Sequence, residues 1–99
     1  MINPIENLNK TFDSRIRLGI MSTLMVNDKI SFNDLKEVIG VTDGNLASHI
    51  KSLEESRYIK VSKGFIGRKT NTTYALTRAG EKAFQHHLSA LEKMISTIK

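Results

Sequence analysis

The feature that most constrains this chain is a change of period in its middle. Up to Ser56, apolar residues recur at helical spacings of three and four. From Tyr58 to Leu76 they fall instead into two β-rich runs around a loop holding Gly64 and Gly67, and helical spacing then returns. The pattern predicts a mainly α fold with one small β-hairpin, an α+β arrangement.

Local signals place the elements. Asn3, Pro4 and Glu6 fit an N-cap, a first-turn proline and a carboxylate reaching back, which predicts a short opening helix. Asp13 reads as the cap of a longer helix in which Ile16, Ile20, Met21 and Leu24 recur until Asn27-Asp28 breaks it. Ile30 to Phe32 reads as a brief strand. Asn33 reads as the cap of a short helix with Leu35, Val38 and Ile39, stopped by Gly40 as a C′ glycine stops a helix. After Val41, Thr42 caps a third helix whose buried stripe is Leu46, Ile50 and Leu53. Tyr58, Ile59 and Val61, then Thr72, Tyr74 and Leu76, form the hairpin. Thr77 caps a final long helix, where Phe84, Leu88, Leu91, Ile95 and Ile98 alternate spacings of four and three as in a heptad seam.

Ninety-nine residues suit one domain, spanning 1–99, with 13–80 as its core and 81–99 together with 1–12 as dimerisation elements. Cysteine is absent, so disulfide, thiolate-metal and cysteine-nucleophile chemistry are excluded. No apolar run approaches the roughly 20 residues of a membrane span, and the N-terminus lacks an export pattern; a cytoplasmic protein without a membrane role is expected. Charge is segregated. Six basic residues (Arg57, Lys60, Lys63, Arg68, Lys69 and Arg78) and no acidic one lie between Ser56 and Gly80, whereas the rest of the chain holds nine basic and ten acidic residues. Concentrated in one segment, the excess makes a local field that favours an anionic partner.

Helix, short strand, helix, turn at Gly40-Val41-Thr42, helix, hairpin, helix is the layout of a winged helix-turn-helix. From about Arg15 to Leu91 the chain resembles winged-helix transcriptional regulators of the MarR and ArsR type, especially their compact members of roughly a hundred residues. The resemblance rests on Arg17-Leu18-Gly19-Ile20-Met21, on Phe32-x-x-Leu35-Lys36, and on Thr42-Asp43-Gly44-Asn45-Leu46-x-x-His49-Ile50-x-x-Leu53-Glu54-Glu55. It continues through Phe65-x-Gly67-Arg68-Lys69, Thr73-Tyr74-x-Leu76-Thr77 and Gly80. Two positions depart from the family pattern: Ala47 stands where a small hydroxyl is common, and Arg57 where glycine usually ends the recognition helix. Arg57 must then adopt a left-handed backbone or end the helix differently.

The resemblance implies a homodimer that binds double-stranded DNA in a sequence-specific way, with the third helix in the major groove. With Leu46, Ile50 and Leu53 inward, Asp43, Gly44, Asn45, Ser48, His49 and Ser52 are expected to face solvent. Asn45 and His49 are the candidate base readers, with Ser48, Lys51 and Ser52 nearer phosphates and Thr42 among the other DNA-binding candidates of the recognition helix. Asp43 has a second reading as favourable charge at a helix N-terminus. Arg68 and Lys69 at the hairpin tip, extended by Lys60 and Lys63, are candidate backbone or minor-groove contacts. Arg17 has two open readings, a phosphate contact or a place at a dimer interface. That interface is expected to gather Ile5, Leu8, Phe12, Phe84, Leu88, Leu91, Ile95 and Ile98. The competing readings are an ordinary solvated helix face, a hairpin kept soluble by lysines, and a final helix folded back on its own domain. At the level of function the rival is a protein-interaction module docking an acidic partner.

The resemblance also implies a small-molecule effector at the dimer interface, although little sequence remains to build a large pocket. No cofactor or metal is expected. His86 and His87 point about 100° apart on a helix and cannot share an ion, and Glu81, His86 and Glu92 do not reproduce a sensor spacing. With no phosphate loop, nucleophile elbow or zinc-protease motif, an enzyme has no residues to carry it.

Overall fold

The computed structural model describes residues 4–97. Two short 3-10 turns, Pro4–Asn7 and Lys10–Phe12, lead into helix α1 (Arg15–Met25), strand β1 (Ile30–Ser31) and helices α2 (Phe32–Ile39) and α3 (Asp43–Glu55). Strands β2 (Ile59–Ile66) and β3 (Lys69–Leu76) and helix α4 (Arg78–Thr97) complete the order. The strands form one antiparallel sheet in the order β1-β3-β2, in which Tyr74 of β3 lies between Ile30 and Val61. This is the α+β fold that the change of period predicts, in the winged-helix order of elements.

Two helix starts differ from expectation. Ser14, not Asp13, caps α1: its backbone is extended and its Oγ accepts the Arg17 N–H at 3.3 Å, while the Asp13 N–H closes the preceding 3-10 turn on Lys10 O. Ser31, not Asn33, caps α2, its Oγ accepting the Asp34 N–H at 3.2 Å. Phe32 therefore opens the helix rather than ending the strand. The predicted opening helix is a 3-10 turn, and its proposed cap Asn3 lies outside the described residues. The other punctuation agrees. Gly40 is left-handed at φ 74°, Thr42 Oγ1 accepts the Asn45 N–H, and Arg57 takes a φ of 63° to leave α3. Left-handed backbone costs a non-glycine residue roughly 1–2 kcal/mol, so the turn after α3 is strained at Arg57.

One buried cluster joins α1 (Ile20, Met21, Leu24), α2 (Leu35), α3 (Leu46, Ile50, Leu53) and the sheet (Ile59, Tyr74). Phe12 and Phe84 complete it, at 1% and 2% exposure. Both were expected at a dimer interface; they belong instead to the chain's own core. The Phe12 ring meets Phe84 edge-on at 5.2 Å and Tyr58 at 5.5 Å. Physically, the first part of α4 lies over the core, while a 20-residue helix is about 30 Å long and outruns it. Farther along the helix Leu88 is exposed, Leu91 half-buried and Ile95 exposed; Ile98 lies outside the described residues. No helix among the described residues is long and apolar enough to cross a membrane.

His87 of α4 is buried among these rings, 5.2 Å from Phe12, and its Nδ1 accepts the Asn9 backbone N–H at 3.0 Å. Asn9 Nδ2 donates in turn to Tyr58 Oη at 3.1 Å. The N-terminal segment, α4 and the exit of α3 thus share one joint. Burial pushes the His87 pKa below its ordinary 6.5, against a smaller opposite pull from Asp13. The imidazole of His49 is lowered too, by burial and then by the Arg17 charge. Because both rings are lowered on folding, the unfolded chain binds protons first; stability is complete above pH 6.5 and falls as pH drops below it. Melting temperature measured from pH 8 to 5 should decline on the acid side. His87→Gln, whose amide oxygen can still accept from Asn9, should flatten that decline; an unchanged slope would remove His87 as its source.

Candidate nucleic-acid interface

Helix α3 is fixed at both ends. At its start stand the Thr42 cap and an ion pair from Lys36 Nζ to Asp43 Oδ1 at 2.6 Å. The pair is exposed, and pairs of that kind contribute only about 0–1 kcal/mol. At its exit, Thr77 donates its hydroxyl to Arg57 O at 2.7 Å and its backbone N–H to Tyr58 O at 3.0 Å, while Thr77 Oγ1 accepts the Gly80 N–H. Thr77 thereby caps α4 and clasps the end of α3 together. With Leu46, Ile50 and Leu53 buried beneath, Thr42, Asp43, Gly44, Asn45, Ala47, Ser48 and Lys51 present an exposed face of small or hydrogen-bonding groups. An added Cβ at Gly44 would meet nothing within 4 Å, so packing does not demand that glycine.

His49 and Ser52 depart from the expected solvent orientation, both being half-buried. His49 Nδ1 accepts Arg17 Nε–H at 3.0 Å, and Arg17 Nη1 reaches Thr11 O at 3.3 Å. Arg17 is thus tied between the N-terminal segment and α3. With Nδ1 serving as acceptor, the neutral ring of His49 carries its proton on Nε2.

The hairpin turns at Gly67-Arg68, where Gly67 has φ 63° and Arg68 does not; a left-handed first residue followed by an ordinary one fits a type II′ turn. Lys60, Lys63, Arg68 and Lys69 are all exposed. They do not line one surface. Lys60 stands opposite Ala75 and Lys63 opposite Thr72, and side chains an odd number of residues apart on a strand point to opposite faces. Lys69, opposite Ile66, shares the Lys60 face, and Arg68 sits at the turn. Sequence reasoning gave no site role to Phe65, quoted only for the resemblance, or to Ile66; they are 74% and 68% exposed beside this turn. The signal for them was their place between Gly64 and Gly67, at the end of a hairpin too long for the core to cover. Among the described residues no three histidines, aspartates or glutamates gather as a metal site would require.

Several known proteins share these features. An uncharacterised protein of Methanocaldococcus jannaschii is 32% identical over 90 residues, covering 91% of this chain and 98% of the relative. A transcriptional regulator homologue from Pyrococcus horikoshii OT3 superposes with a TM-score of 0.81 at 33% identity, over 92% of this chain and 90% of that one. A MarR-family regulator from Porphyromonas gingivalis W83 shares the fold, with a TM-score of 0.70, 22% identity and coverage of 91% and 86%. The family model described as a winged helix DNA-binding domain matches residues 16–95. Together with the fold and the relatives, that match means that the chain belongs to the winged helix DNA-binding domain family, one of regulators and not of enzymes.

Proposed function

We propose that the chain is a homodimeric transcriptional regulator that binds double-stranded DNA sequence-specifically, with α3 in the major groove and the β2–β3 wing on the adjoining backbone. The observation that carries this reading is the exposed polar face of α3, held at both ends beside a wing that has cations and no carboxylate. Asn45 is the principal base reader, since its amide pairs an acceptor with donors in one plane and is exposed in the first turn of the helix. His49 acts through the Nε2 edge, oriented by Arg17. Ser48, Lys51 and Ser52 stand nearer phosphates, while Thr42, Asp43 and Gly44 form the helix start beside the duplex, the Asp43 charge being offset by Lys36. Lys60, Lys63, Arg68 and Lys69 anchor the wing.

A salt titration tests this. Affinity for duplex DNA should fall with a log–log slope of several units, and Arg68→Ala/Lys69→Ala should weaken all sequences and reduce that slope by about one per phosphate contact. Asn45→Ala should cost about 1–3 kcal/mol on a selected site and little on random duplex. A flat slope would favour an acidic protein partner instead.

The partner helix of the dimer is the mate of α4. Ile5, Leu8, Leu88, Leu91 and Ile95 leave apolar surface along the N-terminal turns and the far part of α4, which a second copy would cover about a two-fold axis. Two α3 helices would then meet half-sites about 34 Å apart. Leu88→Glu/Ile95→Glu should give a folded monomer in sedimentation; a persisting dimer would discard this surface. A small-molecule effector would fit the cleft of about 380 Å³ between the N-terminal segment, α1 and α4. Leu8, Phe12, Leu18 and Leu91 line it, with Asp13, Arg15 and His87 for polar contact. A larger cleft of about 680 Å³, between α1 and the end of α2, has no lining residue from α4 and shares Ser14 and Arg15 with the smaller one.

A further inference from the structure

We propose that Arg17 of α1 decides which base the recognition helix reads at His49: it holds the ring as an N–H donor, and that donor selects guanine. This rests on the DNA-binding reading above and adds to it the letter, and the residue outside α3 that sets it.

A neutral imidazole either donates or accepts at its outer nitrogen, and the bond made by its inner nitrogen decides which. Here Nδ1 takes the Arg17 Nε–H at 3.0 Å, so it carries no proton of its own and Nε2 carries it. A hydroxyl or an amide could turn round and accept from the ring; a guanidinium has donors alone. Nor is this guanidinium free to turn. Nη1 donates to Thr11 O and the Arg17 backbone N–H to Ser14 Oγ, both at 3.3 Å, which fixes Arg17 in the first turn of α1. A protonated ring would lose the bond and face a like charge, and burial followed by that charge lowers the His49 pKa from 6.5. At neutral pH the ring is therefore a single donor. Nε2 has no partner among the described residues, and no buried polar side-chain atom there is left unpaired, so Nε2 opens to solvent.

His49 follows Asn45 by four residues, on the same side of α3 and about 5.4 Å farther along. Bases stack about 3.4 Å apart, so the two side chains address letters roughly one or two steps apart. In the major groove guanine offers two adjacent acceptors, N7 and O6. Adenine sets an amino donor beside N7, thymine a methyl group beside O4, and cytosine a donor alone. An N–H that cannot switch to accepting fits guanine and is turned away by the cytosine amino group.

The experiment starts with the free chain. Long-range proton–nitrogen spectra at neutral pH should show His49 protonated at Nε2, and Arg17→Met should bring in the other tautomer. Sites selected by the parent from random duplex should carry guanine at one position of each half-site. Arg17→Met should admit adenine or cytosine at that position, because Nε2 can then accept from an amino group. In the selected duplex, 7-deazaguanine at that position removes the N7 acceptor. It should weaken the parent about fivefold, the net worth of one hydrogen bond, and leave the affinity of His49→Ala unchanged. A ring protonated at Nδ1 in the parent, or sites in which no 7-deazaguanine matters, would overturn the assignment while DNA binding stands; both are read on the parent alone. If His49→Ala still responds to the replaced atom, another side chain reads that guanine and the assignment fails. Arg17→Met with the tautomer and the sites of the parent would remove Arg17 from the role. If the parent shows no salt-dependent binding to any duplex, the DNA reading itself fails and takes this one with it.

Discussion

Gly80→Ala should destabilise the protein by about 3 kcal/mol or more, a large part of the 5–15 kcal/mol typical of a domain. A Cβ at this position would fall on the carbonyl of Tyr58, 2.7 Å from its carbon and 2.9 Å from its Cα. These are backbone atoms, so no rotamer change relieves the overlap. Nor can the Tyr58 carbonyl swing away freely, because it accepts the Thr77 N–H, and Thr77 Oγ1 accepts the Gly80 N–H. The first turn of α4 would have to lift off the exit of α3, breaking the clasp on the recognition helix. At roughly 4–8 °C per kcal/mol, the melting temperature should fall by more than about 12 °C. Gly64→Ala is the control, since an added Cβ there meets nothing within 4 Å and the residue is not left-handed. A fall of only a few degrees for Gly80→Ala would mean that α4 and Tyr58 are not locked together as described.

Phe12→Ala should cost about 3–5 kcal/mol, the usual range for deleting a buried aromatic ring. Three rings, Tyr58, Phe84 and His87, close on Phe12 at 5.2 to 5.5 Å and would face the cavity left behind. This experiment also separates the observed role from the expected one. A core residue is needed by the isolated chain, whereas a dimer contact is needed only by the pair. In the Leu88→Glu/Ile95→Glu background, urea unfolding should still report the full loss on adding Phe12→Ala. Preserved stability in that background would return Phe12 to the interface.

The difference between core and interface shows how far the sequence was legible. An apolar stripe at spacings of three and four states that one face of α4 is covered but not by what, because a chain's own core and a partner impose the same period. Phe84 falls within reach of the core and Ile95 beyond it, a distinction of length along the helix that the period does not contain. Caps behaved similarly. Thr42 was the cap expected and found although Asp43 adjoins it, whereas Asp13 adjoins Ser14 and Asn33 follows Ser31 by two, and there the direction in which the backbone arrives chose the serines. His49 was more legible than its assignment: it stands three residues after Leu46 and four before Leu53, on the flank of the buried stripe. The opposite facing of Lys60 and Lys63 was equally available from the two-residue period of a strand. What no period reveals is distance between remote segments, such as Asn9 meeting His87 or Arg17 meeting His49.

Everything that shapes α3 lies in its cap, its inward stripe and the Thr77 clasp, while the side chains of Asn45, Ser48 and Lys51 point away from all three. The lettering of the helix is separable from its architecture. Under the proposed function, a lineage carrying this fold can therefore rewrite its outer face one residue at a time and change the site it binds without passing through an unfolded intermediate sequence. His49 is the exception. Tied to Arg17 in another helix, it can be replaced cleanly only by a paired change, which makes it the slow letter in an otherwise editable word.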